Sequence, residues 1–205
     1  MLHLETIDSK ALELLRSLQS IQELSELRLV GGTALALQLG HRKSIDLDLF
    51  GIINSDYLSI SKSLDEVGSV TVLQKSNNIN VFLIDNVKVD IVNYHYSWLE
   101  KSIVKNRIIM ADKKDIAAMK LAAITGRGTK KDFIDLYFLL QVFTLKQVLN
   151  FYTHKYHDGS VFLVLKSLSY FDDAEQDPEP TMLIPISWVV IKNFIKETVE
   201  EYLRG

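Results

Sequence analysis

Cysteine is absent from the 205 residues, which excludes disulfides, thiolate catalysis and Cys-ligated zinc together. Basic charge is not in excess either: 23 Lys and Arg stand against 26 Asp and Glu, a formal net charge of -3. Any contact with nucleic acid therefore has to come from a local patch. No apolar run approaches the roughly 18 residues that a membrane span needs, and the opening Met1-Leu2-His3-Leu4-Glu5 lacks the basic and long apolar regions of a secretion signal. A cytoplasmic protein without a membrane partner is expected. Proline is scarce, with three residues, two of which, Pro178 and Pro180, mark an acidic irregular connection over 171–180. No internal repeat or low-complexity segment appears. What is present is 47% apolar residues, enough at this length to bury a core, as one domain or as one core with an attached lobe.

The stretch from Leu29 to Phe50 reads as strand, glycine turn at Gly31 and Gly32, short helix, then a second strand carrying Asp46 and Asp48. Side chains alternate along a strand, so the two carboxylates point the same way, about 7 Å apart, with Ile45, Leu47 and Leu49 on the opposite, core face. Aspartate packs poorly on a pleated apolar surface, so the pair calls for a compensating partner, and a divalent cation is the natural one. The glycines let the backbone turn sharply and approach a ligand, the helix after them presents free N–H groups toward an anion, and Thr33 adds a hydroxyl.

Along the rest of the chain, helical spacing of Leu12, Leu15, Leu18, Ile21 and Leu24 predicts a scaffold helix over 8–27 with Asp8 or Ser9 as its cap. Ser55 or Asp56 caps a second helix to about Val67. Strands follow at Val70 to Lys75, Asn80 to Ile84 and Val87 to Val92, the last two joined by a turn at Asp85-Asn86. In the last strand Lys88, Asp90 and Val92 share a face. Two readings of Asp90 stay open: a third carboxylate for a metal cluster, since hard Mg²⁺ ions prefer oxygen ligands, and a strand aspartate paired with Lys88.

Beyond Tyr94 the pattern predicts helices. Asp112 starts one, with Asp115 three residues on in the manner of a capping box. From Ile116 to Ile124 Lys120 is the only polar residue, and it must either snorkel to solvent or meet an anion. Asp132 reads as the N3 carboxylate of a helix opening at Thr129, and Lys131 with Asp135 as an i,i+4 pair worth about 0.3 kcal/mol. Residues 113–131 hold six basic side chains, Lys113, Lys114, Lys120, Arg127, Lys130 and Lys131, against one acidic residue, Asp115: a local positive patch. Helices near 145–156 and 160–169 follow, and Pro185 to Tyr202 reads as a closing helix packing Val189, Val190, Ile195 and Val199.

The run GGTALALQLGHRKSIDLDLF is similar to the AbiEii/AbiGii-type toxin nucleotidyltransferases of type IV toxin-antitoxin, abortive-infection systems, within the polymerase-beta-like superfamily. DIAAMKLAAITGRGTKKDFIDLYFLL resembles the later motif of that family. The resemblance implies an α/β (α+β) fold, a mixed nucleotidyltransferase sheet flanked by helices with a C-terminal helical lobe. Residues 1–110 would form the catalytic core, and 111–205 a helical region packed on it and completing the active site. It implies transfer of a nucleoside monophosphate from an NTP to an acceptor, with pyrophosphate released. The implied catalytic residues are Asp46, Asp48, Asp90, Lys120 and Asp132, with Asp135 a further candidate. Two Mg²⁺ ions, for which Mn²⁺ can substitute, would sit on Asp46, Asp48 and Asp90. Nucleotide contacts would come from Gly31, Gly32, Thr33, Ser44, Arg127 and Lys130. An RNA acceptor, the 3′ end of tRNA, and a cognate antitoxin protein are the implied partners. The chain is short beside the longer toxins, so the acceptor stays open. A nucleotidyltransferase acting on a small molecule or a protein, and a non-catalytic nucleotide-binding module of the same fold, are the alternatives.

Overall fold

A computed structural model describes residues 1–205. The chain divides into two compact units, Met1–Tyr96 with Lys101–Ala111, and Ser97–Glu100 with Asp112–Gly205.

The first unit is built on a seven-stranded mixed sheet. Its elements are α1 (Ser9–Ser20), β1 (Arg28–Leu29), α2 (Gly31–Leu39), β2 (Leu47–Gly51), α3 (Tyr57–Asp65), β3 (Val70–Lys75), β4 (Ile79–Ile84), β5 (Val87–Asn93), β6 (Ile103–Lys105) and β7 (Ile108–Met110). The strand order is β3-β4-β5-β2-β1-β7-β6. Asp8 caps α1 by accepting from the Lys10 N–H at 2.8 Å, and the helix buries Ala11, Leu14, Leu15 and Leu18. It stops at Ser20, short of the expected Leu27, and a single 3-10 turn, Gln22–Leu24, carries Leu24 into the core. Asp56 is the cap of α3, accepting from the Ser59 N–H at 3.0 Å.

Two hairpins close the sheet on either side. Asp85 and Asn86 turn β4 into β5 at φ 47° and 67°, the left-handed pair that a two-residue hairpin needs and that Asp and Asn tolerate. Asn106 and Arg107 do the same for β6 and β7 at φ 53° and 62°. This second hairpin corrects the expectation of helix after Tyr94. Its strands have three residues each, too short to show a period, and an arginine in the left-handed region gives no turn signal.

Register sorts the central strands into two faces. Asp48 lies opposite Asp90 and Phe50 opposite Val92, while Leu47 lies opposite Val89 and Leu49 opposite Ile91. The second set is fully buried and forms the core face, to which Asn80 and Phe82 of β4 also belong through their pairing with Ile91 and Val89. The carboxylates stand on the other face.

The second unit is helical: α4 (Lys113–Gly126), α5 (Lys130–Leu140), α6 (Leu145–Lys155), α7 (Val161–Leu168), α8 (Asp172–Glu175) and α9 (Trp188–Arg204). Within it α4 lies against α5, α6 and α7, and α9 packs on the same three. Ile191, Ile195 and Val199 form the buried stripe of α9. Val189 and Val190, expected in that stripe, are 59% and 50% exposed. The buried set follows i, i+4, i+8 from Ile191, which leaves both valines on the outer arc. The acidic connection contains one helical turn, α8, and is not wholly irregular.

Candidate active site

The glycine turn is built against an aspartate. Gly31 sits at φ 65°, and a Cβ placed on it would fall 2.1 Å from Asp48 Oδ2. Only glycine fits, for conformation and for space alike. The Val30 N–H donates to the Asp48 carbonyl at 2.8 Å, so the turn from β1 into α2 lies directly on the carboxylate-bearing strand. No side chain caps the N-terminus of α2.

Thr33 and Ser44 brace this arrangement from behind. The Thr33 side chain is buried, and its hydroxyl hydrogen-bonds Ser44 Oγ at 2.8 Å and the Asp46 carbonyl. The Ser44 N–H donates to the Thr6 carbonyl at 2.9 Å. The Thr33 bond draws the Asp46 carbonyl to α2, and β2 begins only at Leu47. Asp46 thus stands in the connection before the strand and not within it. Ile45, expected in the core, is 60% exposed for the same reason: outside the ladder, strand alternation does not govern it.

Asp48 and Asp90 occupy neighbouring parallel strands in register, about 4.8 Å apart in the pairing direction, and both are half-buried. Lys88 Nζ donates to Asp90 Oδ1 at 2.7 Å, so the pairing foreseen for Asp90 is formed alongside its register with Asp48. No three His, Cys, Asp or Glu side chains converge into a closed metal site. The donor chemistry nonetheless suits a hard cation: carboxylates in register on one face of neighbouring strands, with the Gly31 backbone close to Asp48.

In the second unit Lys120 meets anions. Its Nζ lies 2.9 Å from Asp132 Oδ1 and 2.6 Å from Asp135 Oδ2, and all three side chains are buried. Asp132 also closes the start of α5, its Oδ2 accepting from the Thr129 hydroxyl at 2.6 Å and from the Thr129 N–H at 3.3 Å. The capping role read from sequence and the partnership with Lys120 are both present on one side chain. Burial pushes the Asp132 carboxyl up, but the Lys120 charge, the Thr129 and Lys120 hydrogen bonds and the Arg127 charge outweigh it and hold the group below its ordinary value. Arg127 itself is 75% exposed, its Nε 3.7 Å from Asp132 Oδ2.

A sequence model of the family described as "Nucleotidyl transferase AbiEii toxin, Type IV TA system" matches residues 13–199. The chain belongs to this AbiEii nucleotidyltransferase family. An uncharacterized protein of Aquifex aeolicus is 37% identical over 203 residues, covering 94% of this chain and 96% of that protein. Among solved structures, the nucleotidyltransferase toxin MenT4 of Mycobacterium tuberculosis superposes with a TM-score of 0.61 at 15% identity, covering 93% of this chain and 80% of that one. A putative nucleotidyltransferase of H. pylori gives 0.55 at 15% identity, with 95% and 98% covered. At these identities the structural likenesses establish the nucleotidyltransferase fold.

For this AbiEii member the basic stretch over 113–131 is less available than its sequence suggests. Lys120 is neutralised internally. Lys130 is buried, its ammonium donating to the Asp177 carbonyl at 2.6 Å and the Glu175 carbonyl at 3.2 Å, and its N–H donating to Asp177 Oδ2 at 2.9 Å. The acidic connection is held by this clasp. Lys114 pairs with Glu100 at 2.5 Å. Asp115 does not close a capping box at α4. The Lys114 N–H is accepted by Asp112 at 2.9 Å, and Asp115 is fully buried, its Oδ1 2.7 Å from Lys155 Nζ. Asp115 also accepts from the Leu99 and Glu100 N–H groups at 2.9 and 3.1 Å, and Lys155 donates to the Ser97 carbonyl at 2.9 Å. Sequence reasoning missed Lys155, which sits at the end of α6 where a basic residue is ordinary.

Proposed function

We propose that this AbiEii nucleotidyltransferase uses Asp48 and Asp90, with Asp46 beside them, as the centre at which a nucleoside monophosphate passes from an NTP to the 3′ end of an RNA, tRNA being the expected acceptor. The observation that carries the reading is the in-register Asp48–Asp90 pair with Gly31 pressed on Asp48. Two aspartates in register on the apolar strands of a sheet suit a cation-binding role, and a glycine that admits no Cβ lets the start of α2 approach Asp48 closely.

Asp46, Asp48 and Asp90 would hold Mg²⁺, which when bound supplies charge stabilisation at phosphorus and lowers the pKa of the acceptor hydroxyl. The chain's own part is positioning. Gly31 and Gly32 bring backbone N–H groups to the start of α2, where an anion is favoured. Thr33 and Ser44 are bonded to the strand entrance and act as a brace that fixes Asp46. Lys88 holds the Asp90 carboxylate in place. Phosphoryl transfer of this kind needs little covalent chemistry from the protein beyond orientation and electrostatics. The family's type IV assignment adds an antitoxin protein as the partner of the toxin role.

The test incubates purified protein with each α-³²P-labelled NTP, Mg²⁺ and total RNA, beside an Asp46→Ala/Asp48→Ala control, and resolves the products on a denaturing gel. A tRNA-sized labelled band present only with the wild type is expected. NTP turnover without label in RNA overturns the RNA acceptor. A second reading, a small-molecule or protein acceptor, is favoured by one observation: Lys120, Lys130 and Lys114 are each engaged within the fold, which thins the basic surface that a polyanionic acceptor would use.

A further inference from the structure

A polar cavity of about 640 Å³ opens in the first unit, lined by Tyr57, Lys75, Asn77, Asn80 and Asn93 among others. It is not part of the carboxylate centre. Lys75 pairs with Asn80 across β3 and β4, Asn80 pairs with Ile91, and Asn93 lies two residues further along β5 on that same face. All therefore stand on the core face of the sheet, and Asp48 and Asp90 stand on the other.

Two features of this cavity point to a ligand. Asn80 is 8% exposed, and its Oδ1 is buried with no hydrogen-bond partner. A buried unsatisfied amide oxygen is costly, and native structures rarely leave one without a reason. Asparagine χ2 is broad, so the amide plane turns easily toward an incoming donor. The Lys75 ammonium lies 3.6 Å from the centroid of the Tyr57 ring, and Tyr57 in turn stacks on Phe82 at 6.4 Å. The cavity is thus lined by Asn80, whose buried Oδ1 is an orphan acceptor that a turn of the amide would bring to a ligand, and by Lys75, a cation already resting on an aromatic face. Three other polar groups are used internally: Asn93 Oδ1 accepts from the Ile53 N–H at 3.1 Å, Ser76 Oγ is bonded to both Ile79 backbone groups, and Asp56 caps α3.

We propose that this cavity is a second, non-catalytic site for an amino-bearing nucleobase, adenine. The exocyclic amine donates to Asn80 Oδ1, and the Asn80 Nδ2 donates to the adjacent ring nitrogen, the paired contact an asparagine makes with adenine. The π-face of the base takes the place of Tyr57 beneath the Lys75 ammonium. The volume falls within the range of small-molecule sites. The base comes either from a free nucleotide or from an unstacked residue of an RNA. The inference rests on the cavity alone and not on nucleotidyl transfer.

Calorimetric titration of the full chain with adenosine, without metal, tests it, since a nucleoside carries no phosphate to engage the carboxylates. Purine riboside, which lacks only the exocyclic amine, is the control. Saturable adenosine binding is expected, weakened about tenfold or more for purine riboside, lost in Lys75→Met and Asn80→Leu, and unchanged in Asp46→Ala/Asp48→Ala. Asn80→Leu is expected to melt no lower than the wild type, because it removes an orphan acceptor; a purely structural Asn80 would give a lower melting temperature. Absence of saturable binding, equal binding of the two nucleosides, or binding that survives both substitutions overturns the proposal. Competition by a short oligoadenylate at concentrations well below those of adenosine assigns the base to RNA, and competition only at equal base concentration assigns it to a free nucleotide.

Discussion

Lysine 155 and lysine 120 are buried cations with different surroundings. Lys155 is paired with the Asp115 carboxylate, both at zero side-chain exposure, and is covered by the Trp98 ring at 4.5 Å. Lys155→Met leaves a carboxylate uncompensated, which costs about 3–5 kcal/mol, while replacing both partners by apolar residues costs far less. Urea unfolding of Lys155→Met and of Asp115→Leu/Lys155→Met checks this, the double variant being expected as the more stable of the two. At Asp132 the folded carboxyl titrates below its ordinary value of 3.8. A depressed carboxyl stabilises fully above its unfolded value, and that contribution fades as pH falls through 3.8 and below. The stability gap between wild type and Asp132→Asn is expected to be constant from pH 8 to about 5.5 and to shrink toward pH 3; a gap that widens on acidification would contradict the assignment. Gly31→Ala combines a left-handed φ with a Cβ 2.1 Å from Asp48 Oδ2. It is expected to cost about 1–3 kcal/mol and to displace the carboxylate, with activity falling well beyond what the loss of folded protein explains.

At the scale of elements, what could be read in advance followed from strong local signals. The β3–β4–β5 run, the Asp85-Asn86 turn and the caps at Asp8, Asp56 and Asp112 each have a residue whose chemistry suits one backbone state. The alternation that put Asp90 on the face of Lys88 holds, and the register adds Asp48 beside it. The short β6–β7 hairpin and the start of β2 after Asp46 depended on tertiary partners: β1 for the hairpin, the Thr33 hydroxyl for the strand start. Neither is encoded in spacing. The apolar run of α4 showed that Lys120 needed a partner, but only the packing of α5 on α4 reveals that the partner is a pair of aspartates. The cavity between α3 and the core face was equally out of reach, since Asn80 and Lys75 meet only through strand pairing. The brace itself is testable: Thr33→Val keeps the shape and removes the hydroxyl, and is expected to lower stability by about 1–2 kcal/mol and to reduce kcat more than KM.

For the molecule as a whole, a net charge of -3 and internally engaged lysines give no broad attraction for polyanions, so acceptor choice has to be local. The central claim is that the Asp48–Asp90 pair is the reaction centre of an AbiEii nucleotidyltransferase. It is tested most directly by measuring pyrophosphate released from NTP together with label transferred, in the wild type, Asp48→Asn and Asp90→Asn, each checked by thermal melting. The account predicts one pyrophosphate per transferred nucleotide in the wild type, and a fall on the order of 10²-fold or more in both variants at undiminished melting temperature. Turnover that persists in either variant, with the fold intact, would contradict it.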